Sequence, residues 1–490
     1  MKLKISSISD PEEWLKWTIV HVALGLVSAY FKYVFIAYFY LVVLFNIKDA
    51  LQQSRSGNME LMSLLISYLL GFELLNRLVQ GSPFVPVEYS KYIFVFLFGF
   101  LAFLSRKNFH PIGAALLLMA LPGILYDESN QVVLADIVNG YLPPVGLAIG
   151  VGLWGSIKPT DQLITNAMRL IWFGCVAVLA CIVIRTPSYD DLNLSLSSSL
   201  STSGGTSANQ ASTILGLGML LSFYSFYNGH RFSGTRVLDI VFMMVFALQG
   251  LLTFSRGGIL VGVLAILFMI LLPSDSRDPV SGKKEKSGSF LKNLMFLALG
   301  LGFLFLAFLV VDSITGGLLT LRYKGETTGT SAGYAEKNLD KITSGRSDIF
   351  VYDMEIWMEN PVFGVGSGAS PYIRMEKEGA LIAPHVELSR LLAEQGVPGL
   401  IFFLLLLYLG ARIWLNRKKI PQSDMLMALY IVALATSFHA AMRTFVTPFF
   451  MTLSAMALNP KLNAKPKPEA SDEEEEEAEA EAEAEERSTY

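Results

Sequence analysis

Apolar runs of about 15–22 residues recur along the whole chain, and they limit the possible folds more than any other feature. A bilayer core offers no water to backbone N–H and C=O groups, so each run has to close its hydrogen bonds internally, as a helix does. Candidate spans fall at 14–31, 33–47, 59–79, 91–104, 110–125, 139–156, 163–184, 211–228, 237–254, 257–273, 290–311, 397–415, 425–443 and 445–458. The tight pairs, 14–31 with 33–47 and 425–443 with 445–458, could each be merged or re-entrant. The reading is therefore an all-α polytopic membrane protein with about 11–14 transmembrane helices. A mean hydropathy of +0.48, with only 16% charged residues, agrees. No small-residue cleavage site follows the first run, which is read as a retained span.

Charge is unevenly placed. From Asn459 onward there are four Lys/Arg against twelve Asp/Glu, so the formal net charge of −4 belongs to the tail and the rest is mildly basic. The tail from 461 to 490, rich in Glu-Ala repeats, reads as disordered or partly helical. Basic residues in short loops fall on one parity: Lys48 and Arg55, Arg106 and Lys107, Lys158, Arg231 and Arg236, Arg277 with Lys283, Lys284 and Lys286, and Arg417 to Lys419. The alternate short loops near 80–90 and 126–138 contain no Lys or Arg. This asymmetry puts both termini in the cytoplasm and the long segments 185–210 and 312–396 outside. The resulting division is an N-terminal transmembrane scaffold (1–184), a central transmembrane part with a Ser-rich outward loop (185–311), a large outward loop (312–396), C-terminal transmembrane helices (397–460) and the acidic tail (461–490).

The stretch Gly345–Leu400 is the richest in charge outside the tail. Arg346 is expected to open an amphipathic helix with Ile349, Phe350, Met354, Trp357 and Met358 on one apolar face. Asn360-Pro361 should end it, followed by a turn at Gly364-Val365-Gly366-Ser367-Gly368. A short helix at about 386–394 should stop at Gly396. Segment 185–210 is Ser/Gly-rich and could be no more than a flexible linker.

Ionisable residues in or beside the spans are costly there and point to function. Arg256 lies in Leu-Thr-Phe-Ser-Arg-Gly-Gly, where the glycines would let backbone come close to a ligand. Glu73 and Arg77 fit a structural i,i+4 pair, and Arg185 fits a snorkelling role. His439 and Arg443, also four apart, read equally as structural or functional. His385 precedes a helix start, where the dipole disfavours imidazolium, so a neutral ring could act as a general base. Guanidinium groups present a permanent charge and a planar fork suited to phosphate oxygens. Two arginines near one neutral histidine suit attack by a hydroxyl with a phosphate leaving group. There is no P-loop, dinucleotide fingerprint or His-Glu-x-x-His sequence. Cys175 and Cys181 share one apolar run and form no disulfide or zinc pattern. Asp190-Asp191 could hold a divalent ion, but adjacent acids in a polar loop are ordinarily solvated, and no metal site is expected.

Three separated pieces resemble the O-antigen ligase and O-antigen polymerase superfamily of bacterial surface-polysaccharide synthesis. They are Gly-Gly-Thr-Ser-Ala-Asn-Gln-Ala-Ser at 204–212, Leu-Thr-Phe-Ser-Arg-Gly-Gly-Ile-Leu at about 251–260, and the large loop. The loop contributes Gly-Arg at 345–346, Glu-Asn-Pro-Val-Phe-Gly-Val-Gly-Ser-Gly at 359–368, His385 and Leu-Leu-Ala-Glu-Gln-Gly-Val-Pro-Gly-Leu at 391–400. The resemblance runs from about 200 to 415. It implies a helical C-type glycosyltransferase fold in the bacterial inner membrane. It also implies metal-independent, inverting transfer of a glycan from undecaprenyl pyrophosphate, with no cofactor. The acceptor would be a hydroxyl on a second glycan or on a lipid A core, and no nucleic acid is involved. By position, Arg256 and Arg346 would hold the diphosphate and His385 would activate the acceptor. Asn209, Arg390, Arg443 and His439 would be further substrate-binding residues. Many members have Asn directly after that histidine; Val386 stands here, which puts in doubt the acceptor contact that Asn would make. Ligase and polymerase are not separated by these residues. A transporter or flippase would also suit the span count, though such proteins usually show two related halves, absent here. A scaffold organised by the acidic tail does not account for the Arg/His loop.

Overall fold

A computed structural model describes residues 4–5, 10–97, 99–100, 109–125, 127–157, 160–188, 195–271, 290–334, 336, 343, 345–379 and 386–458. Among these residues the chain is all helical, without strands. The scaffold comprises α1 (Trp14–Ser28), α2 (Lys32–Arg55), α3 (Glu60–Gly71), α4 (Glu73–Leu78), α5 (Tyr89–Tyr92), α6 (Pro111–Ala120), α7 (Leu134–Trp154) and α8 (Asp161–Arg185). The central part adds α9 (Ala208–Asn228), α10 (Arg236–Leu252), α11 (Arg256–Leu271) and α12 (Phe290–Ile314). Over the bundle lie α13 (Leu318–Tyr323), α14 (Arg346–Glu359) and α15 (Ser370–Glu378), followed by α16 (Glu387–Asn416), α17 (Ser423–Ser437) and α18 (Val446–Leu453). Among the described residues six helical stretches, one of them α3 continued by α4, are long and apolar enough to cross a membrane, with four shorter apolar ones of 10–17 residues beside them. The chain is a multi-pass membrane protein. The expected span 91–104 lies partly outside the described residues, and the tail lies wholly outside them.

Burial separates centre from rim. In α8, 89% of the membrane-length window is buried; in α12 only 11% is, though it is the most apolar span. An apolar helix left so open is a lipid-facing one. Without a hydrophobic force between helices in lipid, close backbone approach supplies the packing. A Cβ on Gly174 of α8 would lie 2.4 Å from the Gly71 carbonyl carbon of α3. Side chains cap the helix starts: Thr160 Oγ1 accepts the Leu163 N–H at 3.1 Å and Thr235 Oγ1 the Leu238 N–H at 3.2 Å. Arg185 does not snorkel. Its guanidinium donates to the carbonyls of Leu78 and Ala29, at the C-terminal ends of α4 and α1, where the helix dipoles favour a cation.

The two long polar segments meet at one end of the bundle. Ser199 N–H donates to Thr253 O at 2.9 Å, and Arg322 Nη1 to Leu196 O at 3.0 Å. The loop near 126–138, without Lys or Arg, reaches the same end, since Val365 O accepts from Glu128 N–H at 3.1 Å. Residues 195–207 are thus packed, not a free linker; Thr202 and Ser203 are fully buried. Asp190-Asp191 lies outside the described residues.

Two expectations on the large loop need correction or refinement. Helix α14 begins at Arg346 and ends at Glu359 with Asn360 as its cap, as anticipated. Its buried face, however, is Ile349, Asp353 and Ile356, while Phe350 and Met358 are exposed. Asp353 turns the helix inward because it pairs with Arg374 and accepts from Ser389 Oγ at 2.6 Å. The break at Gly396 is present: Gly396 has φ 62° and ψ −136°, and the N–H of the next residue, Val397, donates to Pro361 O at 3.0 Å. A Cβ there would lie 2.6 Å from Pro361 O, so glycine is required twice over.

Candidate active site

Three arginines converge at the loop-covered end. Between α10 and α11 the chain turns through Phe254, buried with φ 57°, and Thr253 Oγ1 accepts the Ser255 N–H at 3.2 Å. That turn starts α11 at Arg256, whose Nη1 donates to Arg322 O at 3.1 Å. Arg322, at the end of α13, is buried; its Nε donates to Phe254 O at 3.4 Å. Burial, and then the Arg256 and Arg346 charges, push the Arg322 guanidinium down to about 10. Burial and then Arg256 lower Arg346 as well. Like charges held within reach of one another in a desolvated place favour an anion between them.

A non-helical turn at 438–445, between α17 and α18, gathers the rest. His439 and Arg443 therefore do not share a helix face, contrary to an i,i+4 reading. Ala441 has φ 50°, a costly conformation for alanine that the surroundings must enforce. His439 O accepts from Arg346 Nε at 3.2 Å, and its Nε2 lies 3.2 Å from Thr213 Oγ1. Met442 N–H donates to Glu387 Oε2 at 3.2 Å, Arg443 O accepts from Arg77 Nη2 at 3.0 Å, and Phe445 N–H donates to Glu73 Oε2 at 2.7 Å. The Glu73–Arg77 pair, 2.7 Å apart and buried, is structural as expected, and what it holds is this turn. In a membrane protein such open backbone persists only where protein or a wet cavity satisfies it.

The glycines after Arg256 serve packing. A Cβ on Gly257 would meet the His439 ring at 2.6 Å, and one on Gly258 would meet the Ser212 carbonyl carbon at 2.1 Å. Asn209 orients the same break: its Oδ1 accepts from Ser255 Oγ at 2.9 Å. The next residue, Gln210, accepts from Arg77 Nη1 at 2.7 Å.

Beside the arginines lies a cavity of about 380 Å³, walled by the scaffold, the 441–443 turn and the start of α16. Arg390 and Arg443 line it, with Arg77, Lys91 and Gln210, which the sequence reading had not placed in a site. Arg390 is clamped by Glu387 and, at 2.9 Å, by Glu394. The Gly364–Gly368 turn braces this segment: Val365 N–H donates to Ala393 O at 2.9 Å and Gly366 N–H to Glu394 O at 3.0 Å. His385 lies outside the described residues. Val386 and Glu387, which follow it, are buried, and Glu387 lines the cavity. Among the described residues no group of three or more His, Cys, Asp or Glu could hold a metal ion.

Fold and site together define an integral membrane protein with a cationic centre under a helical loop. Residues 240–404, about a third of the chain, match the family model described as O-antigen ligase. No curated protein matches the chain. Arg256, Arg346, His385 and Arg390 fall inside the matched span; Asn209, His439 and Arg443 lie outside it.

Proposed function

We propose that the protein transfers a glycan from a polyprenyl-diphosphate carrier, undecaprenyl pyrophosphate by resemblance, to a hydroxyl of a glycan or lipid A-core acceptor. The observation that carries this reading is geometric: Arg256 bonds the Arg322 carbonyl, and Arg346 bonds the carbonyl of His439, whose ring packs on Gly257 beside Arg256, all three arginines within the O-antigen ligase match. Arg256 and Arg346 hold the diphosphate, and Arg322 keeps Arg256 in place through its own carbonyl. His385 takes the proton of the acceptor hydroxyl as its oxygen attacks the anomeric carbon. The bond from that carbon to the diphosphate oxygen breaks on the opposite face, which inverts the anomeric centre. The electron pair leaves with the polyprenyl diphosphate. Guanidinium groups offset the developing charge, the part a divalent ion takes in other phosphate chemistry.

Arg256→Lys tests the diphosphate role. It keeps the charge and loses the planar fork, so donor affinity should fall about tenfold. Binding of the lipid-linked donor to purified variants measures this, alongside single-turnover transfer. Unchanged affinity would remove Arg256 from the site.

The site's end of the bundle faces away from the cytoplasm in this reading. With buried Cys175 and Cys181 first replaced, cysteine at Tyr334, which is 90% exposed, should react with an impermeant maleimide added to whole cells. Cysteine at Ser56, in a basic loop, should stay protected. The opposite labelling pattern would reverse the orientation.

A further inference from the structure

The cavity beside the arginine centre differs from it in charge. Four cations line it, Arg77, Lys91, Arg390 and Arg443, against four carboxylates, Glu88, Asp136, Glu387 and Glu394. The pairing is local as well as formal. Arg390 bridges Glu387 and Glu394, Lys91 sits 2.6 Å from Glu88, and Arg77 is 2.7 Å from Glu73 behind the wall. Burial and then the Arg390 charge lower Arg443, with Glu387 opposing them. An anionic ligand entering here would meet three cations that already have carboxylate partners, and carboxylates that repel it. Hydroxyl groups would meet a different surface. Asn139 and Gln210 add amide groups to the wall, Tyr372 adds an aromatic ring, and buried Arg77 Nε makes no hydrogen bond. Its volume of about 380 Å³ lies within the usual range for a small-molecule pocket. The cavity also adjoins the arginine centre. Gln210 faces it while the preceding Asn209 bonds the Ser255 side chain, and the turn that carries Arg443 gives its His439 carbonyl to Arg346.

We propose that this cavity is a subsite for an uncharged sugar residue, recognised through its hydroxyl groups, next to the diphosphate site. The proposal rests on the glycan-transfer reading and deepens it. The sugar belongs either to the acceptor or to the donor glycan, whose chemistry is the same at this point.

The test uses the full-length protein in nanodiscs and equilibrium binding without turnover. The probes are the lipid-linked glycan extracted from the native strain, the free glycan released from it by mild acid, and polyprenyl diphosphate without sugar. Gly140, on α7, faces the cavity; a Cβ there would lie 3.2 Å from Arg390 Nη1. Gly140→Val should weaken free-glycan binding about tenfold and leave polyprenyl diphosphate binding unchanged. Should that variant fail to fold, Tyr372→Phe, which loses only a hydroxyl bonded to Asp136 at 2.6 Å, should weaken it about threefold. Free-glycan affinity should stay within about twofold between 50 and 500 mM salt, about a threefold change in screening length. Weakened binding of free glycan alone assigns the sugar to the acceptor, and equal weakening of the lipid-linked glycan assigns it to the donor; both uphold the subsite. Equal glycan affinity in wild type and the folded variant would overturn it, and so would a tenfold loss at high salt. If glycan binding responds as expected while no transfer occurs from any lipid-linked donor, the transfer reading fails and the subsite stands.

Discussion

Alanine at position 385 is expected to lower transfer by about 10²–10⁴-fold, the usual scale for loss of a general base, with donor affinity within about twofold of wild type. Phosphate affinity is mostly electrostatic, and a neutral imidazole adds little to it. The position favours neutrality, because helix α16 starts just after it, at Glu387. Glu387 itself is occupied by Arg390 and the Met442 N–H. Single-turnover transfer and donor binding on the same purified variant separate the two quantities. If donor binding were lost as completely as in Arg256→Ala, the histidine would be a phosphate contact or a fold determinant, and some other group would have to take the proton.

Arg390→Leu should destabilise the protein by about 3–5 kcal/mol, the scale for breaking a buried ion pair by removing one partner. Two carboxylates, Glu387 and Glu394, would be left buried and facing each other across the vacated place. Arg390→Lys should recover part of that loss, because it returns the charge without the forked geometry. Thermal unfolding in detergent, followed by tryptophan fluorescence, reads the effect. A variant with wild-type stability and weakened glycan binding would instead make Arg390 a direct ligand contact.

The sequence made the architecture legible where one residue type forces one conformation. Gly396 ends a helix because only glycine takes its backbone angles with a carbonyl pressed against the α-carbon. Asn360-Pro361 stops α14 for a related reason. Apolar length located the helices because lipid leaves few alternatives. The reading weakened where a polar residue is paid for by a distant partner. Asp353 on α14 is such a residue, since its partner Arg374 lies twenty-one residues on. Arg322 gave no signal at all, since a single arginine in a loop resembles any surface cation. Its role depends on Arg256 and Leu196, brought to it by the fold. His439 and Arg443 were noticed for a helical spacing that the chain does not use. No local pattern in residues 438–445 announces a turn held from five directions.

That turn bears on how far the matched domain is portable. Residues 240–404 supply the arginines, yet the turn that receives Arg346 lies downstream of them and is pinned by Glu73 and Arg77 from the far N-terminal part. Swapping the domain between related proteins would therefore transplant half of an interlock. Exchange of donor or acceptor preference by recombination, natural or engineered, would have to carry the residue 73–77 turn of helix and the 438–445 turn with it as one inheritance unit.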